Sequence, residues 1–239
     1  MNVIGKIRRK LTKIGRKCKR MRLQPIHVFL FHQVSDAFDA DTMYACDWTE
    51  TARFQHNMEV LRKEYKFIPL DEAYRKMKRD VIRLRRYAVL TSDDGWASLK
   101  NILPWLHEQG IPVTLFLNPG YFDGRHFRER NTEKYLLEED VRAVSEQFPL
   151  VSFGLHGWEH TNAATKTEDE FRDEVRKSSE ALRQYPCYVP FFAYTWGKHN
   201  DMTRKVLKEF DLVPVLIDKE TNMDDVTCIH RELLDGMAL

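Results

Sequence analysis

The feature that most constrains this chain is an alternation, from Ile26 onward, of short apolar runs with longer amphipathic segments. The apolar runs, near 27–31, 87–92, 113–117, 151–155, 189–193, 213–217 and 227–231, have the length of strands. Between them, 53–64, 71–79, 97–109, 138–147, 168–184 and 201–210 repeat their apolar residues at helical spacing. Strand–helix alternation of this kind predicts a parallel sheet or a barrel, and 239 residues suit one such domain. Gly110, just past the apolar face of Leu99, Leu103 and Leu106, marks a helix end, and Ile111-Pro112 leads into the next strand. Asp93 and Asp94 therefore stand where a strand has just ended. In a barrel that is the face on which loops gather catalytic residues.

Charge divides the chain differently. Before Gln24 there are ten basic residues and no acidic one, so residues 24–239 carry 28 basic against 36 acidic side chains. Residues 1–23 read as a basic amphipathic arm, with Val3, Ile4, Ile7, Leu11 and Ile14 at helical spacing, and 24–239 as the catalytic body. The arm lacks interleaved aromatics and the body is acidic, which argues against nucleic acid as a partner. An anionic membrane surface suits the arm better: each basic residue near it gains about 1 kcal/mol, and the apolar residues insert. The start of the chain lacks the apolar run of a secretory signal, and no segment has the length a bilayer requires. Cys18, Cys46, Cys187 and Cys228 form no C-x-x-C pair, which suggests reduced thiols. The expected location is cytoplasmic, peripheral at the inner face of the membrane.

Two short segments carry chemistry. Tyr87 to Gly95 reads Y-A-V-L-T-S-D-D-G, a strand that delivers adjacent carboxylates into a glycine turn. Such carboxylates repel unless a cation lies between them or one takes a proton. Val151 to Asn162 reads V-S-F-G-L-H-G-W-E-H-T-N and again follows a strand. His156 and His160 fall on one face if the chain turns helically there. One Asp with two His makes three protein ligands and leaves a position open, as in a catalytic rather than a structural zinc site.

Together the segments resemble the polysaccharide deacetylase family, also called the NodB-homology or carbohydrate esterase 4 family. Its T-F-D-D-G motif is matched by Thr91-Ser92-Asp93-Asp94-Gly95, and its H-[ST]-x-x-H motif by His156-Gly157-Trp158-Glu159-His160. Phe29 to Val34 and Phe54 to Leu61 are similar to the first strand and helix of one branch. Pro190 to Gly197 is similar to that branch's F-A-Y-P-x-G motif. The resemblance implies a distorted (β/α) barrel of about seven parallel strands and a hydrolase that removes the N-acetyl group from an amino sugar. It implies a divalent metal, most often Zn2+, held by Asp94, His156 and His160, with Asp93 as the base. Trp196 would give its backbone N–H to the oxyanion. Ser92, Gly157 and Thr195 depart from the family's Phe, Ser or Thr, and Pro, and none is a ligand or the base.

For the general acid, His32 at the end of the first strand is preferred. His230, in Cys228-Ile229-His230, is the alternative, but Arg231 fits as the arginine of the branch's last strand and would turn His230 away. Trp158 and Trp196 are candidates for stacking on sugar rings. The expected substrate is an N-acetylated sugar of a surface polysaccharide or a lipid-linked glycan. The rival expectation is a weak or inactive deacetylase fold that binds sugar or metal without turnover.

Overall fold

The computed structural model describes residues 25–38, 46–79, 85–124, 134–218, 222, 227–235 and 237. The basic arm at 1–23, and Cys18 within it, lies outside them. In chain order the strands are β1 (His27–Phe31), β2 (Gln33–Ser35), β3 (Trp48–Glu50), β4 (Lys66–Phe67), β5 (Tyr87–Ser92), β6 (Val113–Leu117), β7 (Val151–Leu155), β8 (Tyr188–Ala193), β9 (Val213–Ile217) and β10 (Ile229–Leu233). The α-helices are α1 (Thr51–Glu64), α2 (Leu70–Lys78), α3 (Leu99–Glu108), α4 (Glu138–Gln147), α5 (Glu168–Arg183) and α6 (Asp201–Glu209).

Seven strands close into a parallel ring in the order β1-β10-β9-β8-β7-β6-β5, and β5 pairs back with β1 to complete it. The expected barrel is therefore present. Most of its strands are largely apolar, as strands covered on both faces are, and all five residues of β6 are buried; β10, Ile-His-Arg-Glu-Leu, is the exception. One cluster, including Val28, Val89, Phe116, Phe191, Val215 and Ile229, draws in Leu70, Ala73 and Met77 of α2. That helix closes the end at which the strands begin. A larger cluster joins the alternate strand residues, such as Phe29, Leu90 and Phe153, to the other helices.

The differences from expectation are local. The last strand starts at Ile229 rather than near 227, because its register on β9 pairs Ile229 with Val215. Ile229 and Arg231 are buried while His230 between them is partly exposed, as strand alternation requires. The small parallel sheet of β2 and β3 was not foreseen. None of the described helices is long and apolar enough to cross a membrane.

Candidate active site

Adjacent residues at a strand end point to opposite sides, yet Asp93 Oδ2 and Asp94 Oδ1 lie 4.0 Å and 3.2 Å from the same atom, His156 Nε2. The backbone solves this by turning left-handed at Asp94 (φ 69°) and Gly95 (φ 71°). Asp tolerates this region better than most residues. At Gly95 a Cβ would also stand 2.8 Å from Leu117 Cδ2. Asp93 is left facing Arg231, and Asp94 is turned onto the two histidines.

Asp93 is 1% exposed and Arg231 0%. The guanidinium donates from Nη1 to Oδ1 at 2.6 Å and from Nη2 to Oδ2 at 2.7 Å, the bidentate geometry that only Arg offers. It also lies 5.2 Å over the Phe116 ring and donates to Thr91 Oγ1 at 3.3 Å. Burial alone would raise the pKa of Asp93, but the Arg231 charge, His156 and the paired hydrogen bonds hold it below the usual carboxylate range. Asp93 is an anion fixed in direction as well as in charge.

Asp94 Oδ1, His156 Nε2 and His160 Nε2 converge within 4.8 Å of one another. Oδ1 lies 3.2 Å from His156 Nε2 and 3.1 Å from His160 Nε2. Neither contact has hydrogen-bond geometry, so this buried oxygen has no hydrogen-bond partner. His156 Nδ1 is 2.8 Å from the Ala193 carbonyl, which can only accept, so Nδ1 carries the proton and Nε2 is left to offer a lone pair. An orphaned carboxylate oxygen between two imidazole nitrogens is the donor set that suits a divalent cation such as zinc. Burial opposes ionisation of Asp94, but both histidines hold its pKa well below the ordinary value.

The histidine pair does not sit on a helical turn. Gly157 stands at φ 89°, which breaks a right-handed helix, and the loop presents the two rings 5.3 Å apart at 48°. A Cβ at Gly157 would lie 2.6 Å from Glu174 Oε1. Glu174, buried on α5, accepts the Trp158 N–H through that oxygen at 2.9 Å and pairs with Lys166 through the other. Asn118 Nδ2 donates to the His156 carbonyl at 2.6 Å, and the His160 N–H donates to Tyr121 Oη at 2.9 Å. Glu174 thus braces the histidine loop at Gly157, where the family motif has Ser or Thr. Glu174→Ala is expected to weaken divalent-metal affinity by about 10- to 100-fold, as loss of an outer support does. Glu174→Gln, which keeps the oxygen facing the Trp158 N–H, should recover most of it. Competition against a chromophoric chelator measures both; equal affinity in Glu174→Ala and the parent would remove Glu174 from this role.

A family model described as polysaccharide deacetylase matches residues 81–215. The chain belongs to the polysaccharide deacetylase family. Curated proteins give no sequence match. In fold this deacetylase-family chain is similar to IcaB from Ammonifex degensii, at 16% identity over 89% of this chain and 93% of that one, with a TM-score of 0.73. The BpsB deacetylase domain from Bordetella bronchiseptica is 18% identical over 88% and 96%, at 0.71. A de-N-acetylase from Aggregatibacter actinomycetemcomitans is 16% identical over 88% and 95%, at 0.74. The matched stretch holds Asp93, Asp94, His156, His160 and Trp196, whereas His32, Arg231 and Asp235 lie outside it.

In this polysaccharide deacetylase-family chain His32 follows β1, and the pairing of Phe31 with Ser92 sets it level with Asp93. Its Nδ1 is 2.6 Å from Asp235 Oδ2, a carboxylate that the sequence did not single out. Burial would lower the His32 pKa, but the hydrogen bond to Asp235 and the charges of Asp94, Asp235 and Asp93 raise it to about 9. His230 points out of the ring instead and meets Asp218 at 2.8 Å. Trp196 is 60% exposed, has φ 52°, and sets its ring 4.9 Å from His160, edge to face. The departures from the family motifs join the loops around the site. Ser92 Oγ donates to the His32 carbonyl, and Thr195 Oγ1 to the His156 carbonyl, both at 3.4 Å.

Proposed function

We propose that the protein is a metal-dependent N-deacetylase that releases acetate from an N-acetylated amino sugar. The observation that carries this reading is the convergence of three donor atoms within 4.8 Å beside an arginine-clamped carboxylate, at one end of the barrel. Asp94, His156 and His160 hold the cation, and one carboxylate with two imidazoles favours zinc. The cation supplies Lewis acidity, making water a stronger acid and polarising the acetyl carbonyl.

The chain's own groups do the rest. Asp93, ionised and aimed by Arg231, takes the proton of the attacking water. As the new C–O bond forms, negative charge gathers on the acetyl oxygen, and the Trp196 N–H donates to it. His32, its Nδ1 engaged by Asp235, gives the Nε2 proton to the leaving nitrogen as the C–N bond breaks. The products are acetate and a free amine. The exposed Trp196 ring offers a face for the sugar. A protein that only binds metal or sugar needs neither the Asp93–Arg231 clamp nor the His32–Asp235 pair, so turnover is the better reading.

The context we infer is assembly of a surface polysaccharide or lipid-linked glycan, with the basic arm at the inner leaflet. Acetate release from polymeric, lipid-linked and nucleotide-linked N-acetylhexosamines, with and without chelator, tests the activity. No acetate from any of them with metal-loaded protein would overturn it. The acid adds a second check. A general acid must be protonated, so activity falls as pH rises through the His32 pKa. Asp235→Asn removes a group that raises that pKa, and the alkaline limb of kcat/KM should move to lower pH. A limb that stays in place would take His32 out of this role.

A further inference from the structure

The end of the barrel opposite the candidate site carries a surface that the reaction does not use. All ring strands are parallel, so the strand-end residues Asp93, Asp94 and His156 mark one end and the segments leading into the strands mark the other. At that second end a cavity of about 560 Å³ is lined by Arg62, Lys63, Lys66, Arg85 and Arg86 around Tyr65 and Phe67. The single carboxylate of its lining, Glu64, is already taken by Arg86 at 2.6 Å. Arg62 donates to the neutral amide oxygen of Gln109 at 2.6 Å, which leaves its charge uncompensated. Among the described residues no carboxylate pairs with Lys63, Lys66 or Arg85. The lining itself has five cations against one anion, with Glu59 beside Arg62 and Lys63 and Glu232, held by His27, at the rim; the balance is a local basic patch on a body that is otherwise acidic.

A second observation comes from where the chain enters the fold. The His27 ring at the start of β1 packs edge-on against Tyr65 of the cavity, with centroids 5.0 Å apart. Pro25 and Ile26, which lead into β1, thus lie at this end of the barrel, and residues 1–23, with ten basic side chains, precede them in sequence. Their sequence interleaves Val3, Ile4, Ile7, Leu11 and Ile14 with the charges.

We propose that this end of the barrel docks on an anionic lipid bilayer together with the arm, holding the candidate site on the side away from the membrane. Headgroup phosphates match the guanidinium and ammonium groups, and the apolar boundary matches the interleaved aliphatic residues. A soluble polyanion matches only the first. The arm is thus one of two contacts, and the second fixes the orientation of the barrel. Substrate then meets the enzyme from the aqueous side, which favours, within the context proposed above, a polymeric glycan over one whose acetylated sugar sits next to a lipid anchor.

Co-sedimentation of the full-length chain with vesicles tests this, comparing equimolar phosphatidylglycerol and phosphatidylcholine with phosphatidylcholine alone. The protein should follow only the anionic vesicles, and less so as salt screens the charges. The triple variant Lys63→Glu, Lys66→Glu, Arg85→Glu, with its arm intact, should bind them more than about tenfold more weakly, since each cation near the surface contributes a factor of about five. The milder Lys63→Gln, Lys66→Gln, Arg85→Gln should fall between. Wild-type melting temperature in both variants is expected, because the three side chains lie on the surface. Binding by both variants equal to wild type would overturn the docking face, as would equal binding to neutral vesicles. Retention on a soluble polyanion with no vesicle binding would assign the patch to that polymer instead. Vesicle-bound protein should keep its rate on a soluble N-acetyl sugar, and loss of that rate on binding would overturn the orientation. This last readout alone rests on the deacetylase reading; the sedimentation does not.

Discussion

Asp93→Asn is expected to lower kcat by about 100- to 10,000-fold, the usual effect of removing a positioned general base, while metal content stays at the parent level. The amide keeps the size of the carboxylate, and the proposed ligands Asp94, His156 and His160 are untouched. The variant should also lose stability, because Arg231 is 0% exposed and would be left with a buried charge and no counterion. Breaking one side of a buried pair costs roughly 3–5 kcal/mol. Adding Arg231→Met removes the orphaned charge, so the double variant should regain part of the stability and none of the turnover. Chemical denaturation, metal analysis and acetate release on the same samples separate the two roles. If Asp93→Asn loses metal along with turnover, Asp93 is a ligand and its assignment as base is wrong.

The second large effect concerns the histidines. Purified protein should hold about one divalent ion per chain, as a mononuclear site does, and His160→Ala should remove most of it. With it turnover should drop to background, since a three-ligand site reduced to two holds a cation poorly. His160 is the cleaner position because its side chain is 22% exposed, whereas His156 is 2% exposed and bonds to the Ala193 carbonyl. His156→Ala should show the same loss of metal with an added loss of stability. Asp94→Asn should keep the fold, because Asn accepts the left-handed backbone at this position, and lose affinity. Unchanged metal in both histidine variants after dialysis against buffer would end the ligand assignment.

What could be read from the sequence follows from how local each signal is. The seven ring strands fall within two residues of their apolar runs, because such runs are bounded by turn residues close by. The sheet of β2 and β3 could not be read, as two three-residue strands have no period of their own and exist only by pairing. In the same way Asp93, Asp94, His156 and His160 stood out because each pair is a few residues apart. The hydrogen bonds that hold them do not share that property. Asp93 to Arg231 spans 138 residues and His32 to Asp235 spans 203. Arg231 could be noticed as an arginine of the last strand, but its partner could not, and Asn118, Tyr121 and Glu174 carry no local mark at all. The condition under which His156 and His160 would share a helical face is not met at Gly157, whose backbone is left-handed.

Ring closure between β1, β5 and β10 has a consequence in time. A ribosome delivers residues 93–160 well before residues 231 and 235, yet a single barrel folds as a unit. Until β10 joins the ring, Asp93 lacks its guanidinium and His32 its carboxylate, although Asp94, His156 and His160 are already out. On the function proposed above, a chain without β10 would have its three donor side chains but neither the aimed base nor the held acid. Hydrolytic competence would then arrive with β10, the strand that brings in Arg231 and leads to Asp235.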